Sequence, residues 1–193
     1  NTGSVIKACV PMHTFGFPCR IKEIVEVCNA WHIEVVEDAA ESIGSSINDQ
    51  HTGTFGKIAA VSFNGNKVVT AGGGGCVLTN DEELGQKLKH ITTTAKEPHK
   101  WAYRHLELGF NYRMTDMQAA LGVSQMSRLH DFVSKRNMLA ERYDTLLKNL
   151  PLTTPFQLKE SLSSRHLYII RLKLDEIALS HKEVFEQLRE NGI

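Results

Sequence analysis

Lys67 lies in the run Ser62-Phe63-Asn64-Gly65-Asn66-Lys67-Val68-Val69-Thr70-Ala71, which leads straight into four glycines, Gly72 to Gly75. A primary amine among small polar residues, with backbone that can approach a ligand closely, suits imine chemistry with a carbonyl. Upstream, Val35-Val36-Glu37-Asp38 is an apolar run ending in two carboxylates, and Glu41 follows three residues after Asp38. Ser62, Thr70 and the glycine run offer hydroxyls and backbone N–H groups, the groups that cradle a phosphate. An acid, a phosphate cradle and an amine in this order suit pyridoxal phosphate. That cofactor needs a Schiff-base lysine and a carboxylate that keeps its pyridine nitrogen protonated. The spacing assigns Lys67 to the Schiff base and to proton movement once freed, and Asp38 to the ring nitrogen. Ser62, Thr70 and the glycine run are the candidates for the phosphate, and Glu41 could hydrogen-bond the phenolic oxygen.

Each of these residue types also has an ordinary structural use. Lysines are mostly solvated, a strand-end Asp often forms a turn or caps a helix, and glycines make tight turns. No GKS/T sequence follows the glycines and no GxGxxG follows the first expected strand, which excludes those two nucleotide-binding loops. Order and spacing together carry the weight.

The elements that must position these residues follow from periodicity. Residues 5–10 read as a short buried strand ending at Pro11. Residues 20–31 read as an amphipathic helix with Ile21, Ile24, Val25 and Cys28 on one face, and residues 33–36 as a second strand. This βαβ succession predicts neighbouring parallel strands and places Asp38 at a carboxyl strand end, where ligands gather in open α/β sheets. Residues 59–63 and 76–79 add strands, and Asp81 opens a helix running to about Ile91. Residues 92–110 are polar and aperiodic and read as a long loop, a length that points to function. Thr115 is placed as the N-cap of a long helix or bent pair ending before Pro151. Residues 166–174 alternate as a strand, and residues 180–190 read as a helix.

With 22 basic and 22 acidic residues among 193, the chain carries no net field that would favour nucleic acid or an anionic membrane. The four cysteines form no CxxC pair and no disulfide framework, and no long apolar run or signal peptide is present. The expectation is a reduced, cytoplasmic protein. Both ends read as cuts through a longer protein, because a strand follows Asn1 almost at once and Gly192 marks a helix end leading onward.

Several segments in order resemble the DegT/StrS-type sugar-nucleotide aminotransferases across nearly the whole chain. They are Glu37-Asp38-Ala39-Ala40-Glu41-Ser42, Ser62 to Lys67, Gly72 to Gly75, and Gly109-Phe110-Asn111-Tyr112-Arg113-Met114-Thr115-Asp116-Met117-Gln118-Ala119-Ala120. Pro11 to Pro18 and Arg165-His166-Leu167-Tyr168, read as a strand, fit as well. The SFNGNK and GGGG wording looks most like the LegC-like branch, which aminates 4-keto-6-deoxy-N-acetylhexosamines carried on a nucleotide.

The resemblance implies an α/β fold: part of a fold type I large domain over residues 1–125, mostly parallel sheet with flanking helices. A connecting helix and the start of a small α+β domain would occupy residues 126–193. It implies that Lys67 is the Schiff-base lysine, Asp38 pairs with the pyridinium and Ser62 binds the phosphate of pyridoxal phosphate. Asn111 would reach the phosphate in a neighbouring subunit, giving a homodimer with shared active sites. Glu41 stands where the family often has Gln or His. Tyr112 and Arg113 are expected to pack or pair at the subunit interface, and His13 and His166 to be structural or substrate-proximal. Glutamate and a nucleotide-linked keto sugar are the implied partners, with no nucleic acid or membrane. Family members carry a further amino-terminal phosphate loop and a ring-stacking aromatic, neither of which is found here. Two alternatives stand beside this: a truncated, non-catalytic dimerisation or scaffold module, and a related sugar dehydratase. In the dehydratase branch His replaces the lysine, so Lys67 favours transamination.

Overall fold

The computed structural model describes residues 3–193. Its centre is a four-stranded sheet in the order β1 (Ala8–Cys9), β2 (Glu34–Asp38), β5 (Ile58–Ser62), β6 (Gly75–Leu78). Strands β1, β2 and β5 run parallel, and β1 is joined to β2 through helix α1 (Ile21–Ala30), the expected βαβ unit. Strand β6 is antiparallel to β5, so the sheet is mixed. The connection explains this: the Lys67 turn and the glycines fold β6 straight back along β5, which only antiparallel pairing permits.

Strand β1 is shorter than the 5–10 expected, because Val5, Ile6 and Val10 are exposed rather than paired in the sheet. Between β2 and β5, β3 (Ser46–Ile47) and β4 (Gln50–His51) form a hairpin, and β8 (Ser161–Leu162) joins β3 antiparallel. No short-range sequence pattern announced this small sheet. Residues 161–168 lie beyond the boundary expected at 125/126, yet they return to the residues around Gly16 and Ser45.

Helix α2 (Glu82–Thr92) starts at the expected cap, with Asp81 Oδ1 accepting from Leu84 N at 2.9 Å. The long helical run is a bent pair, α3 (Asp116–Met126) and α4 (Leu129–Leu147). Thr115 caps α3 through a capping box with Gln118, and Ser180 caps α5 (His181–Glu190) through another with Glu183. Strand β7 (Leu152–Thr153) pairs with β9 (Arg171–Leu172), and those two residues are all that is strand within 166–174. Residues 165–168 are therefore not a strand. Arg165 takes a positive φ of 50° and its neighbours bond to the Phe15 loop and α4 instead of a ladder.

The 92–110 loop is more regular than its composition suggests. Antiparallel bridges Thr93–Asn111 and Lys96–His105 turn it into a narrow strap, and Lys87 on α2 ties its return limb through Glu107. Two apolar clusters support the whole. One gathers Ala39, Ile43, Val61, Val68, Val69 and Val133 beneath the Lys67 turn, and the other gathers Ile21, Cys28, Val35 and Ile47 under α1. Among the described residues no helix is long and apolar enough to cross a membrane.

Candidate active site

Asp38 is the last residue of β2, and its main chain is held on both sides. Its N–H donates to Pro11 O at 2.9 Å, and its carbonyl accepts from His13 N at 3.1 Å. The side-chain Oδ1 accepts from Ala40 N at 3.1 Å, which turns the chain sharply after the strand. Strand alternation separates the two adjacent carboxylates. Val35 and Glu37 share the buried face, whereas Val36 and Asp38 face the half-open side.

Glu37 is completely buried and fully satisfied. Oε1 accepts from Phe55 N and Gly56 N, both at 2.6 Å, and Oε2 from Gly53 N at 2.8 Å and His13 Nε2 at 3.0 Å. Burial pushes this carboxyl up, but the His13 bond and the three backbone N–H groups outweigh it and hold it below its ordinary range. His13 Nδ1 accepts from Cys19 N at 3.2 Å, which leaves the ring proton on Nε2 for Glu37. His13 is thus a structural histidine that braces the end of β2, one of the two roles expected for it. No motif singled out Glu37 from Asp38, although the two-residue alternation with Val35 carries the signal.

Glu41 sits in the turn after β2, facing Lys67. Lys67 Nζ donates to Glu41 Oε1 at 3.4 Å, and both side chains are largely shielded from solvent. Glu41 Oε2 accepts from Phe15 N at 2.7 Å. Burial works against this carboxylate's charge, yet the Phe15 N–H and the Lys67 ammonium hold its pKa below the usual value. Lys67 itself is fixed by a turn, Lys67 N to Asn64 O at 3.0 Å, and by Val68 and Val69, which dive into the core directly after it. Ala71 N and Thr70 Oγ1 both donate to Phe63 O, closing the loop below the lysine. The glycines serve close approach: a Cβ on Gly75 would lie 2.3 Å from Val61 O across the β5–β6 pair.

Ser62 ends β5 with its hydroxyl accepting from Asn64 N at 3.3 Å, which leaves its proton free to donate. It lines a cavity of about 860 Å³ between the sheet, α2 and residues 112–118, with Ala40, Gly74, Met114 and Gln118. Asn111 is exposed at the base of the strap and accepts from Arg113 Nε at 3.0 Å, and Tyr112 stacks on Phe110 with centroids 5.1 Å apart. The fold thus gathers Asp38, Glu41, Ser62 and Lys67 around the carboxyl ends of β2 and β5. Asn111 stands apart on the surface. His166, expected to be structural or substrate-proximal, comes from the far end of the chain to within 3.8 Å of Glu41 Oε1.

This donor set fits pyridoxal phosphate. The site provides a shielded amine against a carboxylate, a second carboxylate with Oδ2 uncommitted, and a hydroxyl beside a glycine-rich turn. Among the described residues no cluster of His, Cys, Asp and Glu could hold a metal.

Residues 2–193 match the DegT/DnrJ/EryC1/StrS aminotransferase family. The chain belongs to that family. It is 35% identical over 187 residues to the GDP-perosamine synthase of Escherichia coli O157:H7, covering 97% of this chain and 50% of the relative. It is 34% identical over 193 residues to EpsN of Bacillus subtilis, provisionally described as a pyridoxal phosphate-dependent aminotransferase, covering 49% of it. Among solved structures, Helicobacter pylori PseC, an aminotransferase of pseudoaminic acid biosynthesis, superposes with a TM-score of 0.91 at 28% identity, over 97% of this chain and 51% of PseC. The chain spans about half the length of the curated relatives it matches. Pyridoxal phosphate is the cofactor of this DegT/StrS-type fold, and the α/β architecture is that of fold type I enzymes.

Proposed function

We propose that the protein carrying this chain transfers an amino group from glutamate to a nucleotide-linked keto sugar of the 4-keto-6-deoxy-N-acetylhexosamine type. The observation that carries the reading is Lys67 Nζ held 3.4 Å from Glu41 Oε1, at the carboxyl end of the strand that presents Asp38. The relatives named GDP-perosamine synthase, and PseC, an aminotransferase involved in the biosynthesis of pseudoaminic acid, support it.

Pyridoxal phosphate, when bound, supplies an electron sink for the charge that develops at the amino-acid α-carbon. Asp38 keeps the proton on the pyridine nitrogen, since its carboxylate favours the charged ring. Ser62 donates its hydroxyl to the phosphate. Lys67 would hold the cofactor covalently and, when its amine is free, would be the base that takes the proton from the α-carbon. Glu41 holds the Lys67 amine at the mouth of the site and, as a carboxylate fixed by Phe15 N–H, keeps its aim. The intact protein with pyridoxal phosphate should absorb in the visible, and glutamate should bleach that band. Absence of the band, or its survival in Lys67→Ala, would sink the assignment of Lys67.

A further inference from the structure

His166 is a buried polar side chain with no hydrogen-bond partner among the described residues. Its ring is only 1% exposed, and neither Nδ1 nor Nε2 takes part in a hydrogen bond within the described residues. Buried side-chain nitrogens are nearly always paired in folded proteins, and the exceptions point to function. The backbone carrying the ring is, by contrast, tied down repeatedly. Arg136 Nη1 donates to the carbonyls of Arg165 and His166, each at 3.1 Å, Ser164 N donates to Ser45 Oγ at 2.9 Å, and Leu167 N to Phe15 O at 3.3 Å. The left-handed backbone at Arg165 turns the chain immediately before the histidine and so sets the direction of its ring.

All of this aims the imidazole at one atom. Glu41 Oε1 lies 3.8 Å from His166 Nε2, just outside hydrogen-bond reach, and 3.4 Å from Lys67 Nζ. Glu41 Oε2 is held by Phe15 N, and Phe15 O holds Leu167 N, so Glu41 and His166 are mounted on the same residue. Oε1 therefore faces two nitrogens and is bonded to one. An imine nitrogen no longer carries the protons of an ammonium group, so a lysine engaged that way gives up its donor role toward Glu41. Oε1, shielded from solvent, is then left without a donor while Oε2 keeps Phe15 N, and an unpaired shielded carboxylate oxygen is disfavoured.

We propose that His166 is a positioning residue that donates to Glu41 Oε1 whenever Lys67 is engaged elsewhere, holding the carboxylate in place for the lysine's return. No proton is transferred and no bond is made or broken; the carboxylate exchanges one donor for another across a few tenths of an ångström. The inference rests on Lys67 being the amine that engages the cofactor. Burial and the Lys67 charge depress the basicity of His166, so the ring is neutral and can serve as a single donor. The charged groups facing it are Lys67, Glu41 and Arg136.

Nitrogen-15 NMR of the histidine rings tests this in the intact, cofactor-free protein by comparing wild type with Lys67→Met. Loss of the lysine amine should shift the His166 Nε2 proton downfield into the range of bonded imidazoles and lower its acid dissociation constant about tenfold. The Nε2 shift should vanish in Lys67→Met/Glu41→Leu, which leaves His166 no acceptor at that position. A tenfold change with no movement of the Nε2 proton, which loss of a nearby charge alone would give, overturns the proposal. Wild type loaded with pyridoxal phosphate should show the same Nε2 shift, a second readout independent of how Lys67→Met folds. Its absence in protein that does show the visible band overturns the exchange while leaving the Lys67 assignment standing, and absence of the band itself counts against Lys67.

Discussion

Glu37 and Asp38 are adjacent carboxylates with opposite duties, and the reason is one residue of strand alternation. Asp38 faces the half-open side of the sheet; Glu37 is a buried brace that takes four donors. Replacing Glu37 by Gln keeps the volume but puts an amide NH₂ against N–H donors, which should cost about 1–3 kcal/mol. The pH dependence follows from the depressed carboxyl. A group whose folded pKa lies below its unfolded value stabilises fully above the unfolded value, and that contribution is lost as pH falls through the folded one. Urea unfolding at neutral pH and at about pH 3 should therefore show the gap between wild type and Glu37→Gln narrowing in acid. An equal gap at both values would mean that Glu37 contributes by shape alone.

At the scale of elements, caps and local turns were legible because their causes are local. Thr115 and Gln118 stand three residues apart, and the structure shows both halves of their capping box. Thr115→Ala should lower stability by about 1 kcal/mol, a fall in Tm of roughly 2–4 °C for a chain of this size. An unchanged melting curve would mean that the start of α3 is held by packing instead. The central sheet is mostly parallel, as the family resemblance implies, and its one antiparallel strand, β6, was not read from the sequence. What periodicity could not show was pairing at a distance. Strand β8 joins β3 from far along the chain, and Arg165 leaves the extended region, so an apolar alternation over residues 166–174 reads as a strand that the chain does not make. The site divides along the same line. Asp38, Glu41, Ser62 and Lys67 lie at or just after the ends of two neighbouring strands, β2 and β5, and could be read in order, whereas His166 arrives from beyond α4 and no spacing rule links it to Glu41.

At the scale of the molecule, Asn111 is the residue the fold does not bring to its own lysine. It lies at the strap base between two exposed aromatic residues, Phe110 and Tyr112, the latter 71% exposed. A surface of that kind next to a polar side chain with a family-implied role is what a shared site across a two-fold axis would present, because each subunit then offers the same patch to its partner. The consequence is quantitative. If Lys67 of one subunit works with Asn111 of the other, Lys67→Ala and Asn111→Asp proteins are each deficient as homodimers. Mixed one to one and allowed to exchange, half the dimers are hybrids, and each hybrid has one site with both residues intact and one with neither. Activity should then recover to about a quarter of wild type at equal total protein. Sites built within a single subunit would leave the mixture no more active than the average of its two components, so the recovery separates a shared site from a self-contained one.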